Sequence, residues 1–370
     1  MTAPPDLPAE LDVAGRPVLV VGGGPEALGA IAQLRVSGAD VTVVAPSVAA
    51  AVTDLAGRGL LRWERRELQE TDLDNVWLVV AASADPALDE RVRDLADIRR
   101  LFCLGGSATR APHSPENSAA RAGRVVLVGG GPGDPGLITV AGLAAVRSAD
   151  VVITDRLAPL AVLADARAGA EIIDVSKVPH GRSTPQETIN ELLIERANAG
   201  NTVVRLKGGD NFVFGRGGEE WRACALAGIE VQVIPGVSSA IAAPALAGIP
   251  LTHRTANQGF TVITGHVPPG DVRSTIDYGA LARSGTALVV MMGVGTLGAI
   301  TMELIKNGLD AQTPAATIAD GTLPSQRVVR STLLDIGPAT AEAGIRPPAV
   351  TVIGSVAAFD PTVQGRWSWE

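Results

Sequence analysis

The chain has 370 residues, of which 46% are hydrophobic, 19% charged and only 3% aromatic, enough apolar material for two or three globular domains packed largely with Gly and Ala. A formal charge of -8 excludes the basic face of a general nucleic-acid binder, and no run approaches the roughly 18 apolar residues that cross a membrane. The two cysteines, Cys103 and Cys224, lie far apart without metal-ligand spacing, and the first residues show no basic segment followed by an apolar one; no metal site is expected, and a cytoplasmic setting is.

The first predicted strand, 18–21, enters Gly22-Gly23-Gly24-Pro25-Glu26-Ala27, and is followed by a helix over 27–36 and a strand over 41–44. Gly22, Gly24 and Ala27 satisfy the G-x-G-x-x-A dinucleotide fingerprint in its strand-turn-helix setting. The fingerprint also asks for a carboxylate about 20 residues on, to bind the ribose hydroxyl. Here the second strand ends Val44-Ala45-Pro46, so the phosphate turn is present and the ribose clamp is not. That casts doubt on NAD as a cofactor, and a Rossmann-like domain kept for its fold or interface is the competing reading. Strands over 76–82 and 101–104, with a helix over 86–98 between them, complete a domain spanning residues 1–110.

The stretch 105–124, GGSATRAPHSPENSAARAGR, has no apolar period and reads as a flexible connection, with the linker proper at 111–123; His113 within it receives no role. A buried-type strand over 125–128 then runs into GGGPGDPGLIT. Gly131, Gly133 and Gly136 match G-x-G-x-x-G by arithmetic, but Pro132 and Pro135 do not suit a phosphate-cradling helix start. So rigid a turn better presents backbone to an uncharged or zwitterionic ligand.

A helix over 139–147 and a strand over 150–154 lead to Asp155, a carboxylate at a strand end that suits a general base, or only a cap for the next helix. Lys177, His180 and Arg182 form a local basic cluster after the strand at 172–175, equally readable as a solvated loop. Beyond a helix over 184–199, the strand at 203–206 enters Gly208, Gly209 and Asp210, and Gly215, Gly217 and Gly218 open a helix, with Arg205, Lys207 and Arg216 nearby. Backbone without side chains approaches a ligand closely, and ligands of open α/β sheets sit beyond the carboxyl ends of strands. A strand at 231–234 ends in Gly236, Ser238 and Ser239 before a helix over 239–247. Strands at 260–264, 287–292, 315–318 and 349–353 form a further lobe, with Gly265, Met292, Gly293 and Gly321 at or beyond strand ends.

The blocks VGGGPGDPGLIT, ADVVITDRL, RLKGGDNFVFGRGGEE, VIPGVSSAIAAPALAGIPLTHR, TGH and ADGTLPSQRVV resemble, in order and spacing, the uroporphyrinogen-III C-methyltransferases of the tetrapyrrole methylase family, over residues 124 to about 358. The N-terminal part resembles the dehydrogenase and chelatase module of bifunctional sirohaem synthases. The resemblance implies an α/β chain: an N-terminal Rossmann-like domain, degenerate in function, followed by a two-lobed α/β methylase fold with lobes at 124–247 and 248–370. It implies S-adenosylmethionine as methyl donor, uroporphyrinogen III as the tetrapyrrole substrate methylated through precorrin-1 to precorrin-2, sirohaem or cobalamin biosynthesis as the setting, and a homodimer.

Carried over by motif, the donor-binding positions fall on Pro132, Gly208, Gly209, Asp210, Val213, Ser238, Ser239, Met292 and Gly321, the proton acceptor on Asp155 and the proton donor on Lys177. Arg156, Arg182, Arg216, His253 and Arg254 are the cations expected to meet the substrate's carboxylates. Several positions depart from the family pattern. Thr154 stands where Tyr is common, Asn211 where Pro is, Val178 where Arg is, and Arg182 where His is. In the N-terminal part Ser107 aligns with the family's catalytic aspartate, and the helical segment that normally carries dimer contacts and chelatase parts is missing. Alternative readings are a later corrin-ring methylase, an N-terminal domain that retains precorrin-2 dehydrogenase activity, and a non-enzymatic binding role for residues 1–110.

Overall fold

The structure, a computed structural model, describes residues 11–105, 123–176 and 184–360, and no helix among them is long and apolar enough to cross a membrane. The first sheet contains β1 (Pro17–Val21), β2 (Asp40–Val44), β3 (Arg62–Glu64), β4 (Leu78–Ala81) and β5 (Phe102–Gly105) in the order β3-β2-β1-β4-β5, all parallel. Helices α1 (Pro25–Val36), α2 (Ala50–Gly57) and α3 (Pro86–Ile98) connect them. A parallel sheet covered by crossover helices needs apolar residues on both faces, and the central strands supply them: Val18 to Val21 and Leu78 to Ala81 are all buried. Their neighbours Leu73, Val92 and Ala96 close one side of that core. The sequence reading omits α2 and β3, because Arg62–Glu64 is an edge strand of three residues with little apolar signal.

The second sheet contains β6 (Arg124–Gly129), β7 (Val151–Thr154), β8 (Glu171–Asp174), β9 (Thr202–Lys207) and β10 (Glu230–Ile234), in the order β10-β6-β9-β7-β8. Its helices are α4 (Val140–Ser148), α5 (Gln186–Asn198), α6 (Gly217–Leu226) and α7 (Ser239–Leu246). The third sheet contains β11 (Phe260–Thr264), β12 (Ala287–Met291), β13 (Pro314–Ala319), β14 (Arg327–Thr332) and β15 (Ala349–Ile353), in the order β11-β12-β15-β13-β14. Here β11 and β12 are parallel, while β15 runs antiparallel to both β12 and β13. Helices α8 (Tyr278–Arg283), α9 (Leu297–Lys306) and α10 (Ile336–Glu342) accompany it.

Two apolar clusters hold the third sheet, one on each face. Val289, Ala316, Ile318 and Val352 pack with Ala240 and Ala243 of α7, and Leu288, Val290 and Ile353 pack with Ile300 and Leu304 of α9. Burying each Val, Leu or Ile side chain among them contributes about 1.5–3 kcal/mol, so these layers fix where the strand ends fall.

The chain divides into two compact units. One comprises Met1–Arg124, Val146–Arg156 and Leu160–Val204, and the other Val125–Ala145, Leu157–Pro159 and Arg205–Glu370. The N-terminal domain thus shares its unit with β7, β8 and α5, and the donor-type glycine turns all belong to the second unit.

Candidate active site

Three backbone turns meet at the ends of β6, β9 and β10. Gly131 and Gly209 pair as an isolated bridge, with Gly131 N donating to Gly209 O at 3.1 Å and Gly209 N to Gly131 O at 2.6 Å. A Cβ on Gly129 would lie 2.4 Å from Gly236 N, and one on Gly236 would lie 2.3 Å from Gly209 O, distances no side chain tolerates. Gly209 holds φ +69°, a left-handed backbone that favours glycine. A Cβ there would meet only Ser239 N, at 3.8 Å, so the space beside Gly209 is open. The glycines therefore serve two separate needs, close stacking of three turns and an open cradle beside one of them.

Asp210 anchors this arrangement. Its Oδ1 accepts from the backbone N–H groups of Phe212 and Val213 at 2.9 and 3.2 Å, and its Oδ2 accepts from Gly236 N at 3.2 Å. Ser238 caps α7 by accepting from Ala240 N at 3.3 Å. Asn211, fully buried, donates through Nδ2 to Leu127 O (3.2 Å) and Ile234 O (2.9 Å), tying the ends of β6 and β10 together. Proline could not make either bond, so the sequence departure at Asn211 has a structural use that its exchange for a common Pro did not reveal.

The third sheet contributes a second edge. In the register, Met291 of β12 faces Val350 of β15 and Ala319 of β13 faces Ala349, so Met292 and Gly321 leave neighbouring positions on either side of the start of β15. Thr264 pairs with Met291, which brings Gly265 to the same edge. Met292 and Asp320 both adopt left-handed φ, +55° and +50°, and the Met292 side chain is 48% exposed. Gly321 is required by packing, since a Cβ would lie 2.4 Å from Ala243 Cβ on α7. Thr322 Oγ1 accepts from Asp134 N at 3.1 Å, linking this edge to the Pro132 turn, and Gln326 Oε1 in turn accepts from Thr322 N at 2.9 Å. Thr322 sits beside Gly321 at the strand end that the sequence points to, whereas Gln326 is a site-supporting residue that sequence reasoning missed. Pro132, Gly208, Gly209, Asp210, Ser238, Ser239 and Gly321 are thereby linked through direct contacts or adjacent residues within one unit. Val213, 38% exposed, follows on the same loop, and Met292 flanks β15 opposite Gly321.

The charged candidates are placed less uniformly. Arg205 and Lys207, which the sequence places near the glycine turn, point into the protein. Arg205 Nε and Lys207 Nζ both donate to Glu220 Oε1 at 3.0 Å, Lys207 Nζ also reaches Oε2 at 2.9 Å, and all three residues are buried. Strand alternation sends residues 205 and 207 to the face covered by α6, where the carboxylate of Glu220 offsets their charge. Arg216 forms a two-pronged pair with Glu219 on the surface, at 2.8 and 2.6 Å, and this arginine holds the Glu219 carboxyl below its ordinary range. His253 is buried in a turn, its Nδ1 3.0 Å from the Thr255 hydroxyl, whereas Arg254 beside it is exposed. Asp155 is half-buried after β7, and Arg156 pairs with Asp54 of α2 at 3.2 Å. Lys177, His180 and Arg182 lie outside the described residues.

The N-terminal turn differs. Gly22, at φ +102°, is essential to the fold, because a Cβ would lie 2.0 Å from Ala82 O. At Gly24, where a dinucleotide phosphate would approach, the nearest group is the Glu26 carboxylate, 2.6 Å from a Cβ position, and Pro25 offers no N–H to an anion. With no acid at the end of β2 either, these residues do not make a complete dinucleotide site. Among the described residues there is no cluster able to hold a metal ion.

Residues 124–337 match the family of tetrapyrrole (corrin/porphyrin) methylases, and residues 10–110 match an NAD(P)-binding family. Siroheme synthase 1 of Klebsiella pneumoniae is 34% identical over 445 aligned positions, covering 95% of this chain and 94% of that protein. Those 445 positions exceed the 370 residues here, so the relative has stretches without a counterpart in this chain. The S-adenosyl-L-methionine-dependent uroporphyrinogen III methyltransferase of Methanosarcina barkeri is 45% identical over 63% of this chain and 92% of its own length. The crystal structure of the uroporphyrin-III C-methyl transferase from Thermus thermophilus complexed with S-adenyl homocysteine superposes with a TM-score of 0.54 at 38% identity, covering 64% of this chain and 94% of that one.

Proposed function

Since the chain belongs to the tetrapyrrole methylase family, we propose that it methylates ring carbons of uroporphyrinogen III, through precorrin-1 to precorrin-2, with S-adenosylmethionine as donor. The observation that carries this reading is the cradle of stacked backbone at Gly129, Gly209 and Gly236, open beside Gly209 and braced by Asp210. The residues fit the donor: a zwitterionic ligand meets turns that present N–H and C=O groups, and Met292 and Val213 offer exposed apolar surface. When bound there, the donor supplies an electrophilic methyl group. Pro132, Gly208, Gly209, Asp210, Val213, Ser238, Ser239, Met292 and Gly321 would hold it.

The protein's own part is to orient the reactants and exclude water. A ring carbon that gains a methyl group leaves the ring cationic. Asp155 is assigned to stabilise that charge and take the proton, and Lys177 to return one. Arg216 and Arg254 are the exposed cations offered to substrate carboxylates, with Arg182 added from the sequence. Homodimer formation belongs to the same proposal. It is supported by the exposed Phe212 and Trp221, whose rings stack 6.1 Å apart near the cradle.

The test is mass spectrometry of tetrapyrrole products after incubating the full chain with S-adenosylmethionine and uroporphyrinogen III. The expected product has gained two methyl groups. Methylation only of a more highly methylated corrin-type ring would assign the chain to a later step instead.

A further inference from the structure

Two contacts join the N-terminal domain to residues 156–165 inside one compact unit. Helix α1 lies along the 3₁₀ turn Leu160–Asp165, and Gly29 is what lets it approach, because a Cβ there would fall 2.6 Å from Ala164 N and 3.0 Å from Leu163 C. Ala161, Val162 and Leu163 on one side, and Ala27, Leu28 and Ile31 on the other, are buried. Helix α2 supplies the second contact, where Asp54 accepts from Arg156 Nη1 at 3.2 Å, with both side chains only about one-third exposed (28% and 33%). Arg156 directly follows Asp155 at the end of β7. The two contacts therefore bracket residues 156–165, immediately after the carboxylate assigned to the chemistry.

We propose that the N-terminal domain is a positioning platform for methylation. Asp54 holds Arg156, α1 holds Leu160–Asp165, and together they fix the strand end that presents Asp155. Asp54 is a positioning residue and touches no substrate. This explains why a domain with an incomplete dinucleotide site keeps an intact Rossmann sheet: its helices remain structural parts of the neighbouring domain. It also gives Arg156 a partner other than the substrate. The inference rests on the proposed function in one respect, the assignment of Asp155 to proton transfer.

The test uses the full chain as wild type, Asp54→Ala, Asp54→Glu, Arg156→Ala and the double alanine variant, with kcat and KM for uroporphyrinogen III and calorimetric Kd for S-adenosylhomocysteine. Asp54→Ala is expected to lower kcat about 3- to 5-fold, the range a partly exposed ion pair can carry, with the Kd unchanged and Asp54→Glu recovering most of the loss. The double variant should be no slower than Asp54→Ala, because Asp54→Ala removes the Arg156 pair together with a longer contact to Arg58 at 3.7 Å, and Arg156→Ala removes only the first of these. Wild-type kcat in Asp54→Ala, or additive losses in the double variant, would overturn the proposal. Amide hydrogen exchange over residues 151–165 is measured in the same variants and in Gly29→Leu, which forces α1 off Ala164. Faster exchange there, with the rest of β9 to β15 unchanged, is the expected result, and unchanged exchange overturns the platform whatever the activity. If wild type forms no methylated product while exchange still responds to Asp54→Ala, it is the proposed function that fails and the platform that stands.

Discussion

Two glycine turns at strand ends, residues 22–27 and residues 208–210, both read as candidate ligand sites in the amino-acid sequence, the first matching the better-known pattern but without its acidic ribose clamp. Their surroundings separate them. At the first, the space nearest Gly24 is met by the chain's own carboxylate, Glu26, with Pro25 removing a donor, and the strand that should end in an acid ends in Val44. At the second, three backbones stack so closely that only glycine fits, while the flank of Gly209 stays open and Asp210 ties the turn to Gly236. A spacing pattern reports that backbone comes close to something. What that something is depends on charge and space around it: Gly22 meets the backbone of Ala82, Gly29 that of Ala164, and the flank of Gly209 stays open.

The strongest way to break this contrast is Gly208→Val. A Cβ at Gly208 would lie 2.3 Å from Leu157 O, so the substitution displaces backbone as well as filling space next to the cradle. S-adenosylhomocysteine affinity should fall by more than about 10²-fold in calorimetry with far-UV circular dichroism retained. An unchanged Kd would move the donor site elsewhere.

Asp155→Ala sharpens the division between binding and chemistry. Turnover should drop about 10²-fold while S-adenosylhomocysteine binds as in wild type, the pattern expected when a positioned base is lost. Wild-type rates would leave Asp155 without a part in the proton transfer.

The smallest expected effect concerns the cysteines, one in each region. Burial pushes both thiols up, that of Cys224 to about 11 with Glu220 adding to it, but Cys103 on the edge strand is only half-buried and so within reach of solvent. A raised folded-state value favours the thiol, so its contribution to stability is complete below about 8.5, the ordinary value, and is lost as pH rises from there to about 11. At pH 8 a thiol-reactive dye should label Cys103 and leave Cys224 untouched in the native protein. Equal labelling would mean that α6 does not cover Cys224.

Much of the fold was legible because buried parallel strands read as short apolar runs bounded by glycine. The strands Phe260–Thr264 and Ala349–Ile353 and the helix Pro86–Ile98 fall where the pattern puts them. Edge elements such as Arg62–Glu64 and Arg327–Thr332 have mixed faces and little apolar signal, and they were missed. At the site, the small residues could be found because close approach demands glycine locally. The supporting bonds could not, since Asp134 to Thr322 and Asn211 to Leu127 join residues far apart in sequence. The inward turn of Arg205 and Lys207 was equally hidden, because it depends on Glu220 arriving from the next helix.

The central claim is that the working cradle lies at Gly209 and not at Gly24. Its most direct measurement is calorimetric titration of the full chain, in parallel, with S-adenosylhomocysteine and with NAD and NADP. One S-adenosylhomocysteine per chain should bind with a Kd on the order of micromolar, and neither dinucleotide should give heat below about 1 mM. Micromolar binding of a dinucleotide, abolished by Gly24→Val, together with no heat from S-adenosylhomocysteine, would contradict the account.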